Sequence, residues 1–478
     1  MFLRCNIRKK DGKEHRYWSI VESRRCAGNK VVQRHVLYLG EINDQQQAAW
    51  QKSIEIFEHG QAQSKTVALF PEDRAAEAVP DCEIVHIRLG ELQLRRPRQW
   101  GACWLFCHQY HQLGLDQFWA GRLPPSRKGT RWDLVLQTLC AYRLIDPGSE
   151  WRLHREWYEQ SAMGDLLGED LSLAEIHTLY DCHDLLLAHK SALFGHLTGK
   201  WKDLFNAKFD VLLYDLTSTY FESEPPFPEE DKRKFGYSRD KRPDCVQVVI
   251  GLIVTPEGFP LGYEVLAGNT SDKKTLKSFW EKIESQYGKA QRIWLMDRGI
   301  PTEATLKEMQ ESDPPVQYLV GTPKGRLSQL ESQLAEVDWQ KARPAVDVKL
   351  LAQDKEVYVL ARSLERRKTD QSIRPILHQK LERIEAHIFV AFLAYCVHVS
   401  LGWRLKQLAP GLSVRSLLDK MAQMQMIDVH LPTTDGREVI LSRYTQPEVD
   451  QKLLLEQLKL SLPSQPPPKI TAPKTKEK

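Results

Sequence analysis

The stretch FDVLLYDLTSTYFE, residues 209–222, decides how this chain is read. FDVLLY is a short apolar run rich in β-formers, and it predicts a buried strand. The run brings Asp215 to the end of that strand, beside Thr217, Ser218 and Thr219. A carboxylate there either caps the following turn or holds a metal ion. The second reading requires further carboxylates on neighbouring strand ends.

Working forward, CVQVVIGLIVTPEG and FPLGYEVLAG (245–268) read as two more strands joined by a TPEG hairpin. SDKKTLKSFWEKIESQYG (271–288) reads as a helix, QRIWLMD (291–297) as a strand, and PTEATLKEMQES (301–312) as a helix with Pro301 near its start. VQYLVGTPK (316–324) is one more strand. Three antiparallel strands, then helix, strand, helix and strand, predict a mixed sheet with helices packed on it. Crossovers through helices make the later strands parallel. Asp297 ends the run IWLM before Arg298-Gly299, so it is the natural partner for Asp215. Two close carboxylates raise each other's pKa unless a cation sits between them. Mg²⁺ suits that place.

Residues 15–25 (HRYWSIVESRR) and 30–40 (KVVQRHVLYLG) predict a small β hairpin unit. Residues 44–66 are Gln-rich, a helix or a linker, and 83–96 return to strand alternation. Residues 99–200 carry helical spacing, broken at Asp146-Pro147-Gly148. Ser172 is the expected N-cap of the later helix, with Glu175 as its capping-box partner. Either this helical region contacts DNA or it is a plain scaffold. LERIEAHIFVAFLAYCVHVSLGWRLK (381–406) predicts one long helix. Its apolar part, 388–401, falls short of the roughly 20 residues needed to span a bilayer, so a buried helix is expected. Residues 426–444 predict a hairpin turned by Asp435-Gly436, and 462–478 a disordered basic tail.

The chain has 478 residues, enough for roughly two to four domains. Its 67 Lys+Arg against 63 Asp+Glu leave a net charge of +4, a slight lean towards polyanions. Nine scattered cysteines, without a dense framework, point to a reducing compartment, and the start has no signal-peptide core, so a cytoplasmic location is expected. In CWLFCHQYH, Cys103 and Cys107 share one helix face with His111 a turn on. Zinc ligands usually come from two separated elements, so these read as packed core cysteines.

DVLLYDLTSTYFE, FPLGYEVLAGNTSDKKTL, IWLMDRG and IRPILHQKLERIEAHIFVAFLAY, in that order, closely resemble the DDE transposases of bacterial insertion sequences. The resemblance spans roughly residues 80–405. It implies an α/β fold class: an RNase H-like mixed sheet flanked by helices, with an N-terminal β unit, a helical domain and a β-rich insertion before the last acidic helix. The implied activity is Mg²⁺-dependent (or Mn²⁺-dependent) cleavage at transposon ends and joining of the 3′-OH to target DNA. Asp215 matches the first catalytic, metal-binding aspartate and Asp297 the second. The family's glutamate stands in Tyr-x2-Arg-x3-Glu-x6-Lys. Lys368 matches the lysine, yet counting back meets Ala361, Val357 and Asp354. Glu365 stands three rather than seven residues before Lys368 and is a poor replacement, while Glu382 and Glu385 lie several turns further on. The pattern implies an internal deletion ending near 367 that removed the glutamate.

DNA contacts are expected from Lys234, Tyr237 and Arg239 in KFGYSRD, from Lys324 in GTPKGR and from Lys368. The expected partners are double-stranded DNA (terminal inverted repeats and target) and further copies of the chain in a homo-oligomer, with no membrane. The expected organisation is a β-rich region with linker (1–98), a helical domain that either contacts DNA or is a scaffold (99–205), the first part of the core (206–326), an insertion remnant (327–367), the final core helix (368–410), a helix and hairpin (411–461) and the tail (462–478). Two functions stay open: a DDE transposase lacking its third carboxylate, or an inactive remnant that only binds DNA or a related transposase.

Overall fold

The structure, a computed structural model, describes residues 2–10, 13–25, 31–40, 86–126, 129–169, 171–222, 228–236, 242, 244–270, 281, 283–284, 292–296, 303–313, 315–321, 330, 333–334, 336–343, 346–353, 356–363 and 381–471. They fall into two units, one of residues 1–187 and 389–478, the other of 188–388. The first unit thus holds the N-terminal, helical and C-terminal segments.

The first unit opens with β1 (Phe2–Lys10), β2 (Lys13–Arg25) and β3 (Val31–Gly40), an antiparallel sheet in that order. The expected hairpin therefore has a third strand, β1, whose basic residues hid its β character. The strand expected over 83–96 is interrupted by a 3₁₀ turn at Leu89–Glu91, and β4 runs from Gln93 to Gln99. Helices follow: α1 (Gly101–Gln112), α2 (Leu115–Ala120), α3 (Trp132–Ile145) and α4 (Ile176–Asp184). α3 stops at the Asp146-Pro147-Gly148 break, where proline cannot continue the helical ladder. Ser172 is not the N-cap of α4. It lies in a 3₁₀ turn, Leu171–Ala174, and Glu175 itself caps the helix by accepting the Thr178 amide at 3.0 Å.

The second unit begins with α5 (Lys190–Phe205). Next come β5 (Val211–Phe221), β6 (Val246–Val254), β7 (Pro260–Ala267), β8 (Ile293–Met296), α6 (Glu303–Glu311) and β9 (Gln317–Val320). The five strands form one sheet in the order β7-β6-β5-β8-β9. β5, β6 and β7 are antiparallel, while β8 and β9 run parallel to β5, as the hairpin-then-crossover pattern predicted. One face of the sheet buries Leu212, Tyr214, Leu216, Ile253, Trp294 and Met296 against Leu306 and Met309 of α6. The expected helix over 271–288 lies almost wholly outside the described residues. A second, antiparallel sheet follows: β10 (Gln340–Arg343), β11 (Val346–Gln353) and β12 (Glu356–Ser363), in chain order.

The long helix is α7 (Leu381–Leu408), and the boundary between the units falls within it. Its apolar stretch meets the length and hydropathy of a membrane span, but 78% of that window is buried inside the protein, as in a core helix. The first unit resumes with α8 (Val414–Met421), β13 (Gln425–Pro432), β14 (Glu438–Tyr444), α9 (Val449–Gln457) and β15 (Lys469–Ile470). Gly436, with φ +86°, turns the β13–β14 hairpin as expected. The tail expected to be disordered from residue 462 is placed as far as Thr471. Tyr444 donates to the Pro463 carbonyl, Gln465 bonds the Tyr444 backbone, and β15 pairs with β14. Prolines, having no amide hydrogen to satisfy, suit such a strap.

This sheet, β15-β14-β13-β4, joins the two ends of the chain. Its node is Arg98, only 1% exposed. The guanidinium donates to Asp165 at 2.7 and 3.0 Å and to Asp428 at 2.9 Å, and Ser442 donates to Asp428 at 2.7 Å. A buried cation is tolerated only when paired in this way.

Candidate active-site strand

β5 alternates as a half-buried strand should. Leu212, Tyr214 and Leu216 are sealed in the core, while Asp215 and Thr217 between them are exposed. Asp215 is not at the strand end, as the sequence suggested. It sits mid-strand opposite Leu252 of β6, and β5 runs on to Phe221. The β-branched run LTSTYF keeps the extended conformation. A turn cap is therefore excluded. On the other side of β5, the described part of the parallel pairing with β8 runs as far as Tyr214–Met296, and Asp215 is the next residue of β5. Its Oδ1 accepts the Leu216 amide at 2.8 Å. Asp297, the covalent successor of Met296, lies outside the described residues.

Beside the sheet, residues 228–236 are stitched down by backbone. Lys234 and Gln247 exchange amide–carbonyl bonds at 3.1 and 2.9 Å, and Gly268 donates to the Lys232 carbonyl at 2.8 Å. The Gln247 side chain donates to the Gly268 carbonyl at 3.0 Å. A Cβ on Gly236 would stand 2.0 Å from the Gly268 oxygen, and one on Gly268 2.0 Å from the Gln247 oxygen. Only glycine permits such backbone contact. Asp231 and Arg233, both buried, form a bidentate pair. Burial opposes ionisation of Asp231, yet the hydrogen bonds from Arg233 hold its pKa below the usual carboxylate value. Lys234 turns its ammonium onto the Glu229 carbonyl at 3.0 Å. Gln247 pairs with Tyr220, so Lys234 stands about 17 Å along the sheet from Asp215 at ~3.3 Å per residue. Tyr237, Arg239, Lys324, Lys368 and Glu365 lie outside the described residues.

The positions counted for the missing glutamate are informative. Val357 and Ala361 are in strand β12, opposite Ala352 and Val348, and Asp354 lies outside the described residues. Of the later glutamates, Glu382 is exposed and Glu385 is committed to Lys232 at 3.0 Å. Close by in charge, Lys190 pairs with Glu264 at 3.1 Å and lies 4.3 Å from the centre of the Tyr263 ring. Burial pushes the Lys190 amine down to about 8, with Glu385 opposing and Lys232 reinforcing that shift. Glu264 shares a cross-strand row with Gly251 and Leu216, two strands away from β5. Sequence reasoning missed this four-charge cluster, since its members come from α5, a loop, β7 and α7. It also missed the buried Glu150–His183 pair of the first unit, 3.4 Å apart. Cys103 is buried and Cys107 half-buried, and burial raises both thiol pKa values, Cys107 to about 12.

Residues 3–65 match the family model "IS1634 family transposase, N-terminal domain". Over these residues the chain is similar to insertion-sequence transposases. The match falls N-terminal to the segments that carry the resemblance seen in the sequence, on the part that holds β1–β3. No curated protein matches this chain. Among solved structures, a piggyBac transposase synaptic complex with hairpin DNA is similar over 67% of the chain and 78% of its own, at 8% identity and a TM-score of 0.33.

Proposed function

We propose that this chain is a DNA transposase of the DDE type, cutting at insertion-sequence ends and joining the 3′-OH to target DNA, with an RNase H-like core and an impaired active site. The observation that carries the reading is Asp215, an exposed carboxylate on the central strand, next to Tyr214, which pairs with Met296 of β8. Support for the core comes from the strand order, three antiparallel strands followed by two parallel ones. Hard carboxylate oxygens on an open strand suit a hard divalent cation, so Asp215 with Asp297 would hold Mg²⁺ or Mn²⁺. When bound, such an ion polarises the scissile phosphate and lowers the pKa of the attacking water.

The protein's own groups then bind and orient. Thr217 is exposed on the same face of β5 as Asp215, open to hydrogen bonding with a sugar–phosphate backbone. Lys234, Tyr237, Arg239, Lys324 and Lys368 would neutralise phosphates, and a duplex touching both Lys234 and Asp215 would be engaged over roughly five base pairs. The reaction is cytoplasmic, on double-stranded terminal repeats and target DNA.

A second reading, an inactive remnant that binds DNA or a related transposase, is favoured by one observation. Val357 and Ala361 occupy a strand at the counted positions, and Glu385 is spent on Lys232. Incubation with labelled terminal-repeat DNA and Mg²⁺, wild type against Asp215→Asn, separates the two. Cleavage abolished by the substitution supports the transposase. Binding without cleavage supports the remnant. Cleavage that survives Asp215→Asn removes Asp215 from the site.

A further inference from the structure

The first unit holds a cavity of about 230 Å³ where the end of β4, the end of α3, residues 150–160 and α8 meet. Ile145, Trp157 and Leu418, the large buried side chains that line it, are apolar. Trp157 closes a π turn, Leu153–Trp157. Such a turn holds one residue more than an α-turn, is rare, and recurs at functional sites. The Trp157 ring is backed by Tyr142, with centroids 5.1 Å apart.

The charged groups around this cavity cancel in pairs. Asp146 accepts from Arg152 at 3.1 and 2.6 Å. Arg415 stands 3.0 Å from Asp419 and donates to the Ile145 carbonyl at 3.1 Å. Each carboxylate has its own guanidinium, so neither is left to draw in a metal ion or an amine. The remaining polar lining is Gln99 and Gln160, whose side-chain amides no described residue engages. An apolar, aromatic interior with paired charges and two open amides suits a neutral planar ring with polar edges. The volume is below the roughly 300–1,000 Å³ of ordinary ligand pockets, so it has room for one ring system and not for a duplex. A nucleobase meets these terms, and a glutamine amide matches adenine best, donating to N7 and accepting from N6.

We propose that this cavity takes one unpaired adenine of a DNA strand, its ring beside Trp157 and its edge on Gln160. The choice of DNA over a free nucleotide rests on the transposase reading. The choice of a nucleobase rests on the cavity alone. A paired base cannot enter, so the site senses where the duplex is open. Arg415 and Arg152, with 65% and 43% of their side chains exposed, would meet the phosphates of the attached strand.

The test titrates the full chain, without divalent metal, against labelled DNA hairpins that carry one unpaired adenine or none. The unpaired adenine should tighten binding about tenfold, the scale of one well-made amide–base pair. Gln160→Ala should erase that gain and leave the melting temperature in place, because the residue is exposed. An 8-azidoadenine at the unpaired position should photolabel the peptide that holds Trp157 and Gln160. Asp215→Asn should keep both the gain and the label, so a chain that fails to cleave DNA still decides this proposal. Equal affinity for the two hairpins overturns it. So does a gain that survives Gln160→Ala, or a label placed elsewhere. Competition by free dAMP at the labelled peptide, with no gain from the unpaired adenine, overturns the DNA source and assigns the cavity to a free nucleotide.

Discussion

In β5 of the five-stranded sheet, Leu212, Tyr214 and Leu216 are all but sealed, and the residues between them, Asp215 and Thr217, meet solvent. In β12 of the three-stranded sheet the alternation is inverted. Glu356 and Tyr358 turn towards the protein, while Val357 and Val359 stand 60% and 46% exposed. The same period-two geometry serves both strands. The difference lies in what each face has to meet. β5 is central and flanked by two strands, so its apolar face is spent on folding and its polar face is left for chemistry. β12, among the described residues, ends its sheet, and its apolar face meets solvent where Val357 and Val359 stand.

The sharpest way to break this comparison is Asp215→Asn. Activity should fall by roughly 10²–10³-fold or more, the scale seen when a group that stabilises developing charge is lost, while the melting temperature stays put, because the side chain is exposed. A parallel loss of fold would move Asp215 from chemistry to architecture. Next in size is Trp294→Ala, on the buried face. It should destabilise the protein by about 3–5 kcal/mol in a urea titration. Gly268→Ala should cost about 1–3 kcal/mol, because a Cβ there meets the Gln247 carbonyl at 2.0 Å. Its signature is loosening of the 231–236 stretch, read as faster amide exchange at Lys234 and Gln247. At the small end, Val357→Thr should change stability by no more than ~0.5 kcal/mol.

Acid adds a test that separates the sheets. The pKa values of Asp231 and Asp428 are held below their usual carboxylate value. Burial works against both, but hydrogen bonds from Arg233, and from Arg98 and Ser442, outweigh it. A depressed folded-state pKa gives stability that is complete above the unfolded value, about 4, and is lost as pH falls through the folded one. Chemical denaturation midpoints should therefore hold down to about pH 4 and drop below it. Asp231→Asn should flatten the part of that drop carried by the loop beside β6.

Much of this sheet was legible in the sequence. The TPEG turn bounded by apolar alternation could only be a hairpin, and helical spacing between later strands forced parallel crossovers. Asp215 was expected at the end of its strand but sits mid-strand, because LTSTYF, which looks like a departure from the strand, continues it. Threonines satisfy a pleated surface as well as valines do, so only pairing with β6 reveals the continuation. Ser172 failed as a cap because a serine–glutamate spacing says nothing about which of the two begins the helix. The Lys190–Glu264 and Lys232–Glu385 pairs were invisible, being separated by 74 and 153 positions along the chain.

The Arg98–Asp428 contact has a consequence in time. Its partners are 330 residues apart, which a ribosome covers in roughly 20–60 s at ordinary elongation rates. For that interval β4 has no strand to lie beside, and the Arg98 guanidinium has no Asp428 to receive it. Messages cut short before β13 therefore yield chains in which Arg98 never meets Asp428, so closure of the first unit waits on synthesis past residue 428.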